Sequence, residues 1–370
     1  MAKNKKSNAG KIAAEVIIAA VVIAAGGYLI KSAADRSKVV EPSQYTEEAQ
    51  APAETVTTTE APDPNKIVYT TKTVVAEDMY AGDLILVNND YQYHATGEEE
   101  LVCINELLSN SGITCFSAYE WDYSILAQVY QPMTDMTCDY YDNTGDDTLT
   151  IFGSYRTTDF QAILYNNDLA NTGNEESTRV AKPGYSEHET GLAFDYSELI
   201  DLNFDGTGAE SWITENCYKY GFILRYPENK EELTYIQYEP WHFRYVGFPH
   251  AYYMTMHDLC LEEYTDLIRT RYPYSGEHLE LTAEGADYEI YYYPADGSGS
   301  TELPVPSGYV YDVSGNNVDG FVVTVHKSER INESAAGQIG ETPAAEDTQE
   351  TEEGAADEDT VAAPDEDTAE

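Results

Sequence analysis

Two stretches of the sequence carry the residue types of a catalytic metal site. The first, PGYSEHETGLAFDYSE, places His188 seven residues before Asp195, and the second, YEPWHFRYVG, contains His242. Two imidazole nitrogens and one carboxylate oxygen leave the fourth position of a tetrahedral zinc open, as in catalytic rather than structural zinc sites. We therefore predict that His188, Asp195 and His242 bind Zn²⁺.

The spacing in the first stretch excludes the helical HExxH motif, because the fourth residue after His188 is Leu192. The run GLAFDYS instead alternates as a strand does, which places Ala193 and Asp195 on the same side. Gly191 permits a bend between the histidine segment and this strand. The pattern therefore predicts a turn and a strand that aim an imidazole and a carboxylate at one point.

Two further residues have the chemistry to act on a peptide. Pro240 disfavours helical backbone at Glu239, so Glu239 and His242 must lie on a bent or extended segment. From there the Glu239 carboxylate would take a proton from the attacking water. Upstream, the stretch IFGSYRTTDFQ contains Arg156, whose planar guanidinium suits an oxyanion or a terminal carboxylate.

The stretches GSYRTTDFQ, SEHETGLAFD and EPWHFRYVG resemble, in order and separation, the three signatures of the VanY-like D-alanyl-D-alanine carboxypeptidase family of zinc metallopeptidases. The resemblance covers residues 79–271. It implies the same three metal ligands, with Glu239 as the catalytic glutamate and Arg156 at the oxyanion or the substrate carboxylate. It also implies that Gln161 and Ser186 line the pocket for the terminal D-amino acid.

The first signature departs from the family pattern. The family usually has Ser-Gly-Tyr-Arg, whereas this chain has Gly153 and Ser154 before Tyr155 and Arg156. The exchange leaves the arginine in register, so we expect it to affect only the geometry of the turn.

The secondary-structure signals predict an α+β fold. The stretch LEEYTDLIRTRY has helical spacing, ENCYKYGFILRYP passes from a helix end through Gly221 into a strand, and GDLILVNNDYQY predicts a strand that ends in a turn. No helix–strand repeat of the doubly wound type occurs. Together with the resemblance, this indicates a mixed helix and antiparallel-sheet zinc peptidase core of the D-Ala-D-Ala peptidase/Hedgehog type, with a small C-terminal β-rich appendage.

Composition predicts further segments around this core. An apolar run, Ile12–Ile30, is long enough as a helix to span roughly 28 Å, about the hydrocarbon thickness of a bilayer. The flanking segments are rich in Glu, Thr, Ala and Pro, or in acids alone, which favours disorder. The predicted organisation is an N-terminal membrane anchor or signal peptide at 1–38, a disordered stalk at 39–66, the zinc peptidase domain at 67–277, the β-rich unit at 278–327 and an acidic disordered tail at 328–370.

The net charge of the chain restricts the partners that it can bind. The chain has 67 acidic and 20 basic residues, a formal net charge of −47, which argues against nucleic acid as a partner because the two would repel each other. With the resemblance and the apolar run, we expect a monomeric, single-pass protein of the cell membrane, anchored by its N-terminal helix. The catalytic domain would be extracellular and would act on peptidoglycan stem peptides.

Three alternatives remain open at this stage. The same zinc centre would serve an L,D-carboxypeptidase or a peptidoglycan endopeptidase, because specificity depends on the rim of the pocket. A non-catalytic cell-wall-binding protein could keep the fold, but it would need a degraded site. The β-rich unit could be a binding module, although packing against the peptidase domain is the simpler role.

Other residues are weaker candidates for metal ligands. Asp201, Asn203 and Asp205 match the first half of an EF-hand loop, but Trp212 stands where a bidentate glutamate is required, which favours a turn-rich surface loop. Three other histidines lack such neighbours and are predicted to be structural or exposed: His250, His257 and His278. The five cysteines include no CxxC pair, and we weakly favour a Cys217–Cys260 bridge among several possible pairings.

Overall fold

The computed structural model describes residues 66–97, 99–199 and 202–331. The strands are β1 (Tyr69–Val75), β2 (Leu101–Cys103), β3 (Ser117–Ala118), β4 (Ser124–Leu126), β5 (Leu149–Gly153), β6 (Ala193–Glu198), β7 (Phe222–Leu224), β8 (His242–Tyr245), β9 (Leu279–Ala283), β10 (Ala286–Pro294), β11 (Ser300–Pro306), β12 (Tyr309–Gly315) and β13 (Gly320–Arg330). The α-helices are α1 (Ile104–Ser111), α2 (Ala127–Thr144), α3 (Thr158–Thr172), α4 (Ser211–Asn216), α5 (Glu231–Thr234), α6 (His250–Met256) and α7 (Leu261–Arg271). Short 3₁₀ turns occur at Ala76–Tyr80, Glu187–Thr190 and Cys217–Tyr220.

A five-stranded sheet forms the centre of the peptidase core. Its strand order is β3-β5-β6-β8-β7, and every neighbouring pair is antiparallel except β3 with β5. The alternation predicted for GLAFDYS is confirmed by β6. The mixed helices and antiparallel strands, with further strands at the C-terminal end, confirm the predicted α+β class.

The two faces of this sheet differ in chemistry. Phe194 on β6 pairs with Phe243 on β8, and both lie in the main apolar cluster, against residues of α2 such as Met133. Asp195 pairs with His242 one position further along, so their side chains emerge on the opposite face. Burial of a Phe side chain contributes about 1.5–3 kcal/mol, which is enough to define which face points inward.

Helix α3 begins beside the predicted oxyanion residue. Thr157 is the N-cap, and its side-chain oxygen accepts a hydrogen bond from the backbone N–H of Phe160 at 3.3 Å. The cap ends the extended segment that follows β5 and starts the helix at Thr158. This local signal holds Arg156 in the three-residue segment between strand and cap.

The C-terminal strands form a four-stranded antiparallel sheet in the order β12-β13-β10-β9. Strand β11 pairs with β1, so the first described strand and a late strand share one two-stranded sheet. Helix α7 confirms the helical spacing of LEEYTDLIRTRY, and its residue Ile268 packs in one cluster with Ile290 of β10. The boundaries predicted for the separate domains stay predictions.

The predicted strand in GDLILVNNDYQY is wrong. Leu84, Leu86 and Val87 are buried, yet outside the strands, and the chain turns at Asn88–Tyr91 as expected. Two carbonyl oxygens of this segment, those of Asp83 and Ile85, accept hydrogen bonds from a single buried arginine, Arg244. A side chain therefore satisfies backbone groups that a neighbouring strand would otherwise satisfy.

The favoured Cys217–Cys260 bridge is also wrong. The disulfide joins Cys115 and Cys138, whereas Cys217 and Cys260 are buried free thiols. Cys217 packs in the main apolar cluster and Cys260 is the N-cap of α7, so the fold separates the two. Sequence spacing could not distinguish these pairings.

The predicted anchor, most of the stalk and most of the acidic tail fall on residues 1–65 and 332–370, which lie outside the described residues. Within the part of the chain that the structure describes, none of the helices has both the length and the apolar character needed to cross a bilayer.

Among the remaining histidines, His250 is structural. Its Nδ1 lies 2.7 Å from the Tyr264 hydroxyl and its Nε2 lies 2.9 Å from Oγ1 of Thr324, so it links α6, α7 and β13. Burial lowers the pKa of His250 to about 3. His257 is exposed, and His278 pairs with Glu289.

We predict that His250 makes the protein less stable in acid. The histidine of the unfolded chain titrates near 6.5, so between about pH 6.5 and 3 the unfolded state binds more protons. The free energy of unfolding should therefore fall below pH 6.5, by up to about 1.4 kcal/mol per pH unit from this group. His250→Gln should cost about 1–3 kcal/mol at pH 7.5 and flatten the acid-side slope, measured by denaturant unfolding at several pH values.

The exposed His257→Gln is the matched control and should leave both the stability and the slope unchanged. An acid-side slope of His250→Gln equal to that of the unmodified chain would contradict this role for His250.

Candidate metal centre and active site

The register between β6 and β8 builds the centre of the site. It sets Asp195 directly opposite His242, with Oδ1 of Asp195 2.9 Å from Nδ1 of His242. His188 comes from the 3₁₀ turn Glu187–Thr190, which ends at Gly191 in the left-handed conformation. Its Nε2 lies 3.2 Å from Oδ2 of Asp195. The structure thus brings the three predicted ligands together, with one ligand atom of each within 4.8 Å of the others.

The outward-facing nitrogens of both imidazoles have fixed acceptors. Nδ1 of His188 lies 2.8 Å from the carbonyl oxygen of Ser154, and Nε2 of His242 lies 3.4 Å from Oε2 of Glu187. These oxygens accept only, so each ring donates its outward N–H. The inward Nε2 of His188 keeps a lone pair, whereas the inward Nδ1 of His242 faces the Asp195 carboxylate at 2.9 Å and must lose its proton before it can bind a metal. Two inward nitrogens and one carboxylate fit Zn²⁺.

Burial and neighbouring charge give two of the three candidate ligands the protonation states that metal binding needs. Burial, with Arg156 beside the ring, lowers the pKa of His188 to about 4, so the imidazole is neutral at pH 7. Burial opposes ionisation of Asp195, but His188 and His242 lower its pKa well below the usual value. A neutral imidazole and an ionised carboxylate are the forms that bind a metal. The exception is His242: burial opposes its positive charge, but its hydrogen bonds to Asp195 and Glu187 raise its pKa to about 9, so a metal must displace a proton from this ring.

Arg156 lies next to the three ligands. Its Nη2 is 2.8 Å from Nε2 of His188 and 3.0 Å from Oδ2 of Asp195, and its Nη1 donates to Oε1 of Gln161 at 3.3 Å. The backbone N–H of Arg156 also donates to the carbonyl of His188. The guanidinium is therefore held at the point where a scissile carbonyl or a substrate carboxylate would meet the metal centre.

Gln161 and Ser186 both line the cleft, as expected. Gln161 is 1% exposed, its Oε1 accepts from Arg156, and its Nε2 donates to the carbonyl of Ala181 at 2.8 Å. Both ends of the amide are engaged within the protein, so Gln161 also orients the arginine. Ser186 is buried directly before the turn that carries His188.

Glu239 borders the same cleft. Its backbone N–H donates to the carbonyl of Tyr226, and its own carbonyl accepts from the backbone N–H of His242, so the bent segment predicted from Pro240 is short and fixed. Burial raises the pKa of Glu239 to about 8, although the nearby His242 opposes the rise. A carboxyl group with a pKa near neutrality suits proton transfer in both directions.

Gly153, where the family usually has serine, lies directly against Asp195 in this chain. A Cβ atom at this position would lie 2.3 Å from Oδ2 of Asp195, so the metal-ligand carboxylate occupies the space of the missing side chain. The next residue, Ser154, supplies the carbonyl that orients His188. Sequence reasoning missed both roles, although the exchanged Gly-Ser pair directly before the arginine was their signal.

The cleft holds about 170 Å³ of space for water-sized molecules. Charged and polar groups of the site line it: Arg156, His188, Asp195, Glu239 and His242. Another part of its lining is apolar: Phe152, Phe160, Leu164, Val180, Ile236 and Trp241. The site therefore combines a polar centre with an apolar wall.

The loop with the partial EF-hand pattern connects β6 and α4, as the simpler interpretation predicted. Oε2 of Glu210 accepts hydrogen bonds from the backbone N–H groups of Asp205 and Gly206, at 2.8 and 2.7 Å. Asp201 lies outside the described residues. The carboxylate of Glu210 thus organises the turn from within the loop.

Two neighbouring strands and the turn before them present one aspartate and two histidines to an open cleft, an arrangement typical of the catalytic site of a zinc peptidase. Comparison with known proteins agrees: the family model described as VanY, D-alanyl-D-alanine carboxypeptidase, matches residues 126–248. A D-alanyl-D-alanine carboxypeptidase of Enterococcus faecium is 36% identical over 259 residues, which cover 69% of this chain and 78% of the relative. The chain belongs to the VanY D-alanyl-D-alanine carboxypeptidase family.

Two further comparisons support the assignment. The bifunctional D-Ala-D-Ala dipeptidase and D-Ala-D-Ala carboxypeptidase VanXYC of Enterococcus gallinarum is 41% identical over 128 residues, 32% of this chain and 67% of that protein. The crystal structure of the vancomycin resistance D,D-dipeptidase VanXYg, in complex with a D-Ala-D-Ala phosphinate analogue, superposes with a TM-score of 0.61 at 31% identity. That match covers 70% of this chain and 99% of that one.

We predict that Gly153→Ala weakens metal binding without unfolding the protein. The added methyl group requires the Asp195 carboxylate to move, and displacement of a ligand or its support typically costs 10–100-fold in metal affinity. The zinc dissociation constant, measured by competition with a chelator, should rise by at least about 10-fold.

Gly297→Ala is the matched control, because a Cβ atom there meets nothing within 4 Å. The control should bind zinc as the unmodified chain does. Equal zinc affinity for both variants would show that the close approach at Gly153 has no effect on the site.

Proposed function

We propose that this protein is a zinc-dependent D,D-carboxypeptidase that removes the terminal D-alanine from peptidoglycan stem peptides. The proposal is carried by one observation: ligand atoms of His188, Asp195 and His242 converge within 4.8 Å in the lining of the cleft. The names of the relatives supply the substrate class.

A zinc ion on these three residues supplies a Lewis acid that polarises the scissile carbonyl and makes water more acidic. The inward lone pairs of His188 Nε2 and His242 Nδ1 and the carboxylate of Asp195 hold it. The fixed acceptors behind each imidazole keep the rings in the tautomers that binding requires.

Glu239 moves the proton. Its carboxylate accepts a proton from the attacking water as the new C–O bond forms at the scissile carbonyl. It returns that proton to the amide nitrogen as the C–N bond breaks, so free D-alanine leaves with a neutral or protonated amine. The raised pKa of Glu239 suits both steps, because the group gains and loses the proton readily near neutral pH.

Arg156 and Ser186 bind the substrate. The guanidinium, oriented by Gln161, donates to the developing oxyanion or to the terminal carboxylate. The hydroxyl of Ser186 is placed to donate to that carboxylate from the neighbouring turn. The apolar part of the cleft suits the methyl group of D-alanine.

We predict that Glu239→Ala keeps the fold and the bound zinc but loses hydrolysis. Loss of a general base typically lowers kcat by about 10²–10⁴-fold. The measurement is D-alanine release from a pentapeptide stem, with zinc content determined on the same sample. Glu228→Ala, at an exposed glutamate on the segment before α5, is the control and should retain activity.

If Glu239→Ala retained hydrolysis, Glu239 would not be the general base. A tetrapeptide stem tested beside the pentapeptide defines the bond: a D,D-carboxypeptidase releases D-alanine from the pentapeptide alone. Release from the tetrapeptide would contradict D,D-specificity.

We also propose that residues 1–38 anchor the protein in the cell membrane, with the catalytic domain outside the cell. The support is the apolar run Ile12–Ile30 with lysines before it. The full chain should sediment with membranes and resist alkaline extraction, and protease added to intact protoplasts should degrade its catalytic domain. Recovery of the full chain in the culture medium or the cytosol would contradict this arrangement.

A further inference from the structure

Glu187 lies behind the metal centre, on the side away from the cleft. It directly precedes His188, and its side chain is fully buried. Its Oε1 accepts from Nε of Arg225 and from Nη1 of Arg244, each at 2.7 Å. Its other oxygen, Oε2, is 3.4 Å from Nε2 of His242. One carboxylate therefore joins a metal-binding histidine to two guanidinium groups.

Both arginines are themselves fixed. Arg225 is 0% exposed and forms a two-pronged ion pair with Glu262 of α7, at 2.9 and 2.6 Å. Arg244, also 0% exposed, donates from Nη2 to the carbonyls of Asp83 and Ile85, each at 2.9 Å. Two cations thus face two carboxylates, and the remaining donors of Arg244 meet backbone oxygens.

Such a network is costly to assemble in an apolar interior, because each charge loses its hydration. It is satisfied here by short contacts from a turn, strand β8, the residue after β7, helix α7 and the segment after residue 82. Stability alone does not require it, since apolar side chains of equal volume often pack as well or better. The network reaches a candidate metal ligand through Oε2 of Glu187, which faces Nε2 of His242.

That contact has a defined consequence for His242. A carboxylate between two guanidinium groups accepts hydrogen bonds and has no proton to donate. The imidazole therefore donates from Nε2, so Nδ1, the nitrogen that faces Asp195, is the one left to release its proton and bind a metal. His242 has a further restraint, since its carbonyl accepts from the backbone N–H of Arg225.

We propose that Glu187 is a positioning residue for the metal centre: it holds the His242 ring in the orientation and tautomer that metal binding needs, and the buried arginines hold Glu187. The inference rests on the proposed function, because it takes His188, Asp195 and His242 as ligands. It adds a residue outside the cleft to the machinery of the site.

The test compares Glu187→Gln with Glu262→Gln. Both variants remove one carboxylate from the same network, but only Glu187 contacts His242. Chelator competition on folded protein should give a zinc dissociation constant 10–100-fold higher for Glu187→Gln, the usual effect of losing an outer partner of a histidine ligand. Glu262→Gln should lower the melting temperature yet bind zinc within about threefold of the unmodified chain.

Zinc binding by Glu187→Gln within about threefold of the unmodified chain would overturn the proposal, and so would an equal loss in Glu262→Gln. Should Glu187→Gln fail to fold, nitrogen NMR of the unmodified, zinc-loaded protein still decides. His242 should show a protonated, slowly exchanging Nε2 and a metal-shifted Nδ1. The opposite assignment would exclude Glu187 as its acceptor.

These results separate the two proposals. An unmodified chain that neither binds zinc nor releases D-alanine would refute the proposed function. An unmodified chain that does both, beside a Glu187→Gln variant of equal zinc affinity, would refute only the positioning role.

Discussion

The pairing of β6 with β8 is the constraint on which the site depends. It places Asp195 opposite His242 and, one step along, Phe194 opposite Phe243. Side chains alternate between the faces of a strand, so burial of the two rings in the apolar core forces the carboxylate and the imidazole onto the other face. A slip of one residue would turn the two side chains of the slipped strand to the opposite face. Burial of Phe194 and Phe243 in the hydrophobic core therefore stabilises the strand register that places Asp195 opposite His242.

The second layer of the site consists of acceptors that orient the histidines. Ser154 offers a backbone carbonyl to His188, and Glu187 offers a carboxylate to His242. The carbonyl is held by the segment after β5, whereas the carboxylate is held by two buried arginines. Both arrangements leave the inward nitrogen as the one that can bind a metal. Burying these charges is unfavourable unless every N–H group of the two arginines has an acceptor. The network therefore extends to the carboxylate of Glu262 and the carbonyl of Asp83.

Much of the site could be predicted from the sequence, because its signals are local. The alternation of GLAFDYS, the glycine before it and the proline after Glu239 each restrict the backbone of their own segment. The strand, the turn and the α+β class followed from them. The irregular backbone of residues 83–87 could not be predicted. Its apolar residues suggested a strand, but Arg244, which is far away in the sequence, donates hydrogen bonds to the carbonyls of Asp83 and Ile85. The pairing of Cys115 with Cys138 likewise depends on which cysteines the fold brings within reach.

What the sequence by itself determined was the set of candidate ligands, their base and their arginine, because those residue types have few other uses in such short stretches. Only the tertiary structure decided how they are supported. Gln161 turned out to orient Arg156, Gly153 to leave room for Asp195, and Glu187 to face His242. These roles depend on distances between segments that are far apart in the chain. Such distances follow from packing, and no local pattern of residues encodes them.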